Sequence, residues 1–188
     1  MKLNKKVSII TGAASGFGKG IAKKFSEEGA KLILADINKD ELEKVSNDLN
    51  QDFFQVDVAN SSSMQKLSEY VIKKYETIDI MVNNAGGAGG DLQPTVNLSN
   101  EEFDFCMKIN LYSTFWATRH ALKTMLTKQY GRIINISSVE GKQGKPVVTA
   151  YSAAKHAVNG MTKSVAKEVG TENITVNAIC PGLILTDI

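Results

Sequence analysis

The feature that most constrains the fold is a repeated alternation between short apolar runs and amphipathic stretches. The apolar runs have the length of buried strands and lie at 7–11, 31–35, 53–56, 78–82, 132–136 and 174–179. The amphipathic stretches have helical periodicity and lie at 16–29, 39–49, 62–74, 100–127 and 150–169. Strands that alternate with helices predict a parallel sheet covered on both faces. We therefore predict one α/β domain over residues 1–188, with a single doubly wound parallel sheet in three α-β-α layers.

Composition and charge exclude several classes of function. The 188 residues carry 22 Lys+Arg and 20 Asp+Glu, a net charge of +2. Nucleic acid and anionic membranes both need concentrated positive charge, so we expect neither as a partner. No window of about 18 apolar residues predicts a membrane-spanning helix. Two cysteines, Cys106 and Cys180, cannot form a disulfide framework, and two isolated histidines do not predict a metal site. We expect a cytoplasmic protein without a metal.

A glycine-rich segment follows the first predicted strand and opens the first predicted helix. Gly12, Gly16 and Gly18 have the spacing Gly-x-x-x-Gly-x-Gly, one residue longer than the usual dinucleotide fingerprint. Backbone N–H groups at a helix N-terminus attract anionic oxygens, and glycines let the backbone approach them closely. Lys19 is followed by Gly20 rather than Ser or Thr, which excludes a P-loop. The segment predicts a pyrophosphate site, with a plain tight turn as the alternative.

Asp36 ends the second predicted strand and indicates which dinucleotide binds. A carboxylate at this position can accept hydrogen bonds from the adenosine ribose hydroxyls and would repel a 2′-phosphate. Ser15 and Ile37 are uncharged at positions where a 2′-phosphate binder would need Arg or Lys. We therefore predict NAD as the cofactor, with NADP less favoured. The alternative is that Asp36 only caps the following helix.

Motifs along the whole chain resemble those of the short-chain dehydrogenase/reductase superfamily. The motifs Thr11-Gly-x-x-x-Gly-x-Gly, Asn83-Asn84-Ala85-Gly86 and Tyr151-x-x-x-Lys155 occur in the order found there. The resemblance implies a Rossmann fold and hydride transfer between the cofactor and a secondary alcohol or its ketone. It also implies adenine contacts at Asp57 and nicotinamide contacts after Pro181. The predicted cofactor-binding residues are then Gly12, Ser15, Gly16, Phe17, Gly18, Asp36, Asp57, Val58, Asn84, Ala85, Gly86, Tyr151, Lys155, Pro181, Gly182, Ile184 and Thr186.

Four residues carry the predicted chemistry. Tyr151 and Lys155 are four residues apart on a predicted helix and share one face. A tyrosine has a pKa of roughly 10, which a neighbouring ammonium and a cationic nicotinamide would lower. Tyr151 is therefore predicted to be the base in alcohol oxidation and the acid in ketone reduction. Ser138 could hydrogen-bond the substrate oxygen. The resemblance implies that Asn110 holds a water beside Lys155.

The Tyr-x-x-x-Lys spacing occurs twice, so the spacing alone does not identify the site. Tyr70 and Lys74 also match it, on another predicted helix. Ser138 precedes Tyr151 by thirteen residues, which is the spacing that the resemblance requires. We therefore assign the chemistry to Tyr151 and interpret Tyr70 and Lys74 as surface residues.

The substrate is only partly constrained by the sequence. Acyl-carrier-protein ketoreductases resemble the chain, but Gln129 and Glu172 stand where those enzymes have arginines that hold the carrier. Members of the 3-hydroxybutyrate branch also resemble it, but Glu140 and Val148 replace their substrate-binding His and Lys. We expect a small uncharged alcohol or ketone as the substrate. A catalytically silent dinucleotide-binding sensor or structural protein is the alternative, which the presence of all four residues disfavours.

Two helices predict self-association. The helix predicted for 100–127 is apolar around most of its circumference, and the one predicted for 150–169 has small residues at helical spacing. The resemblance implies pairing through these helices, so we expect a homodimer or a homotetramer. It also implies a helical lid and a seventh strand after the nicotinamide-binding turn. We expect these parts to be missing from the present sequence and the pocket to be open above Ser138 and Tyr151.

Overall fold

Six parallel strands form one sheet in a computed structural model that describes residues 1–90 and 92–184. The strands lie in the order β3-β2-β1-β4-β5-β6 across the sheet. They span Val7–Thr11 (β1), Lys31–Asp36 (β2), Asp52–Gln55 (β3), Ile80–Asn83 (β4), Gly131–Ile136 (β5) and Ile174–Ile179 (β6). The order reverses between β1 and β4, so a crevice opens beyond the carboxyl ends of these two strands. Ligands bind at such a switch point in doubly wound sheets.

Helices cover both faces of the sheet. They span Gly16–Glu27 (α1), Lys39–Leu49 (α2), Ser61–Tyr75 (α3), Asn100–Met107 (α4), Ser113–Lys128 (α5) and Thr149–Glu168 (α6). A π-helical turn, Lys108–Tyr112, joins α4 to α5, and short 3₁₀ turns lie at Thr95–Asn97 and Val139–Gly141. Among the described residues, no helix is both long and apolar enough to cross a membrane.

Two buried apolar clusters, one on each face, hold the three layers together. The first packs α3, α5 and α6 on the sheet through residues such as Leu67, Met125 and Val176. The second packs α1 and α2 on the other face through Ala22 and Leu42. The prediction of a doubly wound parallel sheet in three layers is therefore confirmed.

The structure corrects two of the predicted elements. The strand predicted at 78–82 instead begins at Ile80 and runs to Asn83, where it stays in register with Asn135 of β5. The single helix predicted for 100–127 is wrong, because the π-helical turn interrupts it. The side-chain amide of Asn110 donates to the Cys106 carbonyl at 2.8 Å. This bond occupies the acceptor that the Asn110 backbone N–H would use in an α-helix, so the turn widens.

Candidate active site

A cavity of about 610 Å³ opens at the carboxyl ends of the strands. Its walls contain fifteen of the predicted site residues, which come from seven separate segments of the chain: Gly12, Ser15, Gly16, Phe17, Asp36, Asp57, Val58, Asn84, Ala85, Gly86, Ser138, Tyr151, Lys155, Pro181 and Gly182. The fold thus brings most of the predicted cofactor residues and three of the four predicted catalytic residues to the walls of one cavity.

Three predicted site residues that the structure describes do not line this cavity. Gly18 lies beneath the loop, where an added Cβ would stand 1.8 Å from the Gly12 carbonyl oxygen, so its contribution is close packing of α1. Asn110 lies behind Gly86. Ile184 is 53% exposed and does not reach the wall. Thr186 falls outside the residues that the structure describes.

The turn from β1 to α1 is built to receive an anion. Gly12 has a φ of +65°, and a Cβ there would stand 2.8 Å from the Asn84 amide nitrogen. Ser15 precedes the first residue of α1, but its side chain does not cap the helix. The first N–H groups of α1 therefore keep free hydrogen-bonding capacity next to the cavity. These features fit a dinucleotide pyrophosphate.

The segment after β4 is fastened to this turn. The Asn84 side-chain amide donates to the carbonyl oxygens of Thr11 and Gly12 at 2.9 and 3.1 Å. The Thr11 hydroxyl accepts from the backbone N–H groups of Asn84 and Ala85 at 3.0 and 3.1 Å. Two neighbouring walls of the cavity therefore hold each other in place.

Asp36 lines the cavity and faces the glycine turn. One carboxylate oxygen accepts from the Ala14 N–H and the other from the Asn38 N–H, both at 3.0 Å. The residue that caps α2 is Asn38, whose side chain accepts from the Glu41 N–H at 3.3 Å. The alternative that Asp36 serves as the helix cap is therefore wrong. The Asn-x-x-Glu spacing at residues 38–41 is a sequence signal for the true cap.

Lys155 is buried, and its burial lowers its pKa. Its side chain is 4% exposed, and its ammonium donates to the Ile136 carbonyl at 2.8 Å. Burial disfavours the charged form and lowers the pKa of Lys155 to about 8. The ammonium lies 5.4 Å from the centre of the Tyr151 ring. The two residues therefore do share one face of α6, as their spacing predicts.

The structure corrects the expected direction of the Tyr151 pKa. Burial raises the pKa of Tyr151 above its usual value, and a hydrogen bond with Ser138 opposes this shift in part. The expected lowering is thus wrong for the protein by itself, because desolvation outweighs the nearby ammonium, which bonds a backbone carbonyl instead.

Ser138 and Asn110 are held by the backbone around them. The Ser138 hydroxyl accepts from the Glu140 N–H at 3.1 Å, at the end of β5. The Asn110 amide group exchanges two hydrogen bonds with Gly87, donating to its carbonyl at 2.8 Å and accepting from its N–H at 3.2 Å. A Cβ on Gly86 would stand 2.5 Å from Asn110 Oδ1 and 3.5 Å from Lys155 Nζ, so Gly86 lies against both residues.

The second Tyr-x-x-x-Lys pair lies away from the cavity and has a structural role. The Tyr70 ring packs against Phe54, with ring centres 5.2 Å apart. The Lys74 ammonium pairs with the Asp52 carboxylate at 2.5 Å, which raises the pKa of Lys74 to about 12. Tyr70 and Lys74 are bound to the β3 edge and not to the site.

Sequence reasoning missed several cavity residues, most of them apolar. They are Ile37, Val56, Phe105, Ile109, Ile136 and Ser137. Most of them adjoin a predicted site residue in the chain, as Ile37 follows Asp36 and Ile109 precedes Asn110. Such adjacency is the only signal that the sequence offered, because apolar side chains in strands and helices look like core residues.

Comparisons with known proteins identify the family to which this chain is similar. A family model described as short chain dehydrogenase matches residues 6–188. The chain is similar to the 3-oxoacyl-(acyl-carrier-protein) reductase FabG of Rickettsia prowazekii, with 40% identity over 185 residues that cover 98% of this chain and 75% of the relative. It is also similar to zerumbone synthase of Zingiber zerumbet, with 37% identity that covers 96% of this chain and 69% of the relative.

A solved structure is similar over the same region. It is a crystal structure of an actinorhodin polyketide ketoreductase variant with NADPH, and its TM-score is 0.93 at 35% identity. The match covers 97% of this chain and 72% of that chain.

Proposed function

This chain belongs to the short-chain dehydrogenase family of oxidoreductases, and we propose that it transfers a hydride between NAD(H) and a secondary alcohol or its ketone. One observation carries the proposal. Ser138, Tyr151 and Lys155 line the same cavity as the glycine turn and Asp36. A dinucleotide with its phosphates at the N-terminus of α1 and its ribose at Asp36 would extend along this cavity towards Tyr151.

The protein supplies binding, orientation and proton transfer, while the nicotinamide, when bound, accepts or donates the hydride. In oxidation, the Tyr151 oxygen takes the proton from the substrate hydroxyl, and in reduction it returns a proton to the carbonyl oxygen. The Ser138 hydroxyl donates to the same substrate oxygen and stabilises its developing negative charge.

Lys155 and Asn110 support this proton transfer from behind Tyr151. The Lys155 ammonium favours the phenolate form of Tyr151 whenever the phenol gives up its proton. Asn110 and Lys155 both lie against Gly86, and Lys155 also lines the cavity. This proximity supports a proton path from Tyr151 to solvent through Lys155 and Asn110.

The preference for NAD rests on charge at the end of β2. The Asp36 carboxylate is held towards the cavity by Ala14 and Asn38, and it stands where a ribose 2′ substituent would approach. A hydroxyl there can donate to the carboxylate, whereas a phosphate would be repelled. Ser15 and Ile37 line the same region and bring no positive charge.

The substrate that we propose is a small, uncharged alcohol or ketone. Gln129 and Glu172 offer no positive charge for an acidic carrier protein. Phe105 and Ile109 add apolar surface to the cavity. The homo-oligomeric assembly and the cytoplasmic location stay predictions.

The test is a hydride-transfer assay on the purified chain. Absorbance of the reduced nicotinamide is followed with NAD⁺ or NADP⁺ and a panel of secondary alcohols, and with NADH or NADPH and the matching ketones. The panel includes a 3-oxoacyl thioester with and without a carrier protein. Turnover with NAD(H) and a small neutral pair is expected. Tight cofactor binding without turnover on any member of the panel would instead support a silent binding protein.

A further inference from the structure

A chain of buried polar side chains crosses the sheet face beneath α5 and α6. The Asn83 amide donates to Asn135 Oδ1 at 2.8 Å, and the Asn135 amide donates to Thr162 Oγ1 at 2.8 Å. The Thr162 hydroxyl donates to the Val158 carbonyl at 2.8 Å. The Asn83 amide also lies 3.4 Å from Thr118 Oγ1. We call Asn83, Thr118, Asn135 and Thr162 the polar bridge.

The polar bridge lies within an apolar layer. None of its four members is more than 6% exposed. Met81 and Ile133, two residues earlier on the same strands, belong to the apolar cluster on this face. Buried amides lose their hydration and regain it only through well-placed partners. If these side chains were apolar, the helix could pack on the strand in several relative positions. The hydrogen bonds form in only one of these positions.

Each member of the polar bridge stands close to a group of the candidate site. Asn83 directly precedes Asn84, and Asn135 directly precedes Ile136, whose carbonyl holds the Lys155 ammonium. Thr162 lies two turns beyond Lys155 on α6, and Thr118 lies two turns beyond Asn110. The bridge thus joins the strands and helices that carry the site.

We propose that Asn135 and Thr162 are positioning residues, which fix α6 against β5 and so hold the Lys155 ammonium on the Ile136 carbonyl beside Tyr151. Both partners of the hydrogen bond from Lys155 to Ile136 are positioned by the hydrogen bond between Asn135 and Thr162. The acceptor is on the residue after Asn135, and the donor is on the helix that Thr162 anchors. The catalytic consequence rests on the proposed hydride transfer, but the positioning of Lys155 does not.

The experiment compares substitutions that differ by one hydroxyl. Thr162→Val replaces the hydroxyl with a methyl group of similar size, and Thr162→Ser keeps the hydroxyl. Ser68→Ala is the matched control. Ser68 is equally buried on this face of the sheet, but its hydroxyl bonds only the Met64 carbonyl of its own helix, at 3.1 Å.

The first measurement does not depend on enzymatic activity. The pKa of Lys155 is measured in the folded protein by pH-dependent amine labelling and mass spectrometry. We expect Thr162→Val to raise it by about half a unit or more, because a loosened helix lets water reach the ammonium. Thr162→Ser and Ser68→Ala should leave it unchanged. An unchanged Lys155 pKa in folded Thr162→Val would overturn the proposal.

The second readout is kcat with the substrate pair found in the assay. We expect Thr162→Val to lose about tenfold or more, since a 1 Å displacement of a reacting group can cost on the order of 10²-fold. Full kcat in Thr162→Val, or an equal loss in Ser68→Ala, would also overturn the proposal.

The two readouts also separate this proposal from the proposed function. If the wild-type protein shows no hydride transfer but Thr162→Val still raises the Lys155 pKa, the proposed function is refuted and the positioning role of Thr162 stands. If Thr162→Val does not fold, Asn135→Ser breaks the same bond and is judged by the same two readouts.

Discussion

At the scale of single residues, one hydroxyl is expected to carry turnover. Tyr151→Phe should nearly abolish hydride transfer and leave NADH affinity almost unchanged, because the phenol acts in the transition state more than in cofactor binding. Steady-state kinetics and NADH fluorescence titration measure the two effects. Tyr70→Phe is the control, since Tyr70 packs on Phe54 away from the cavity. Similar losses in the two variants would mean that Tyr151 is not the proton donor.

Cofactor choice depends on another single residue. Asp36→Ala should narrow the preference for NADH over NADPH by about 1–3 kcal/mol, the scale of one charge-assisted hydrogen bond. Fluorescence titration of both cofactors, with wild type and variant side by side, gives the difference. Tighter binding of NADPH than of NADH by the unmutated chain would contradict the assignment of Asp36.

The buried lysine should make stability depend on pH. The pKa of Lys155 is about 8 in the folded chain, below its ordinary 10.5, so the folded state releases this proton first. Its contribution to the unfolding free energy therefore rises as the pH goes from about 8 towards 10.5. Relative to Lys155→Met, the wild type should gain about 1 kcal/mol between pH 8 and 9, measured by urea unfolding. A constant difference between the two proteins over this range would be inconsistent with the buried ammonium.

Sequence spacing selected the tyrosine that lines the cavity, but it could not predict the pKa of that tyrosine. Ser138 and Tyr151 meet because their spacing reflects a strand, a turn and a helix start, and all three are local features. The raised pKa of Tyr151 comes from burial. Burial depends on which distant segments close over the phenol, and no local pattern encodes that.

At the scale of elements, the segment after β4 packs closely against the π-helical turn. Gly86 has a φ of +155°, and a Cβ there would meet Asn110 Oδ1 at 2.5 Å. Gly86→Ala should therefore push Asn110 away from Lys155 and lower kcat by about tenfold or more, with the chain still folded. Gly87→Ala is the neighbouring control, because a Cβ there meets nothing within 4 Å. An equal kcat in Gly86→Ala and Gly87→Ala would contradict the predicted role of the contact between Gly86 and Asn110.

The helices and strands were largely predictable from the sequence, but the π-helical turn between α4 and α5 was not. Apolar periodicity located all six strands and the helices between them, because a doubly wound sheet buries complete runs of residues. The π-helical turn escaped prediction because it depends on bonds from Asn110 to Gly87 and Cys106. The contact with Gly87 spans 23 residues and forms only in the folded chain.

At the scale of the whole molecule, the surface around the π-helical turn is expected to form an interface between copies of the chain. Phe105, Tyr112 and Phe115 are 47%, 45% and 43% exposed. Large aromatic side chains contribute much of the energy of buried interfaces, so a group of them on the surface indicates a contact site. Light scattering at micromolar concentration should therefore show a dimer or a tetramer. Phe115→Asp should reduce the assembly, because it would place an unpaired charge in that apolar contact. Gly20→Asp adds the same charge on α1, on the opposite face of the sheet, and should leave the mass unchanged. A monomeric wild type, or an assembly unaffected by Phe115→Asp, would rule this surface out as the interface.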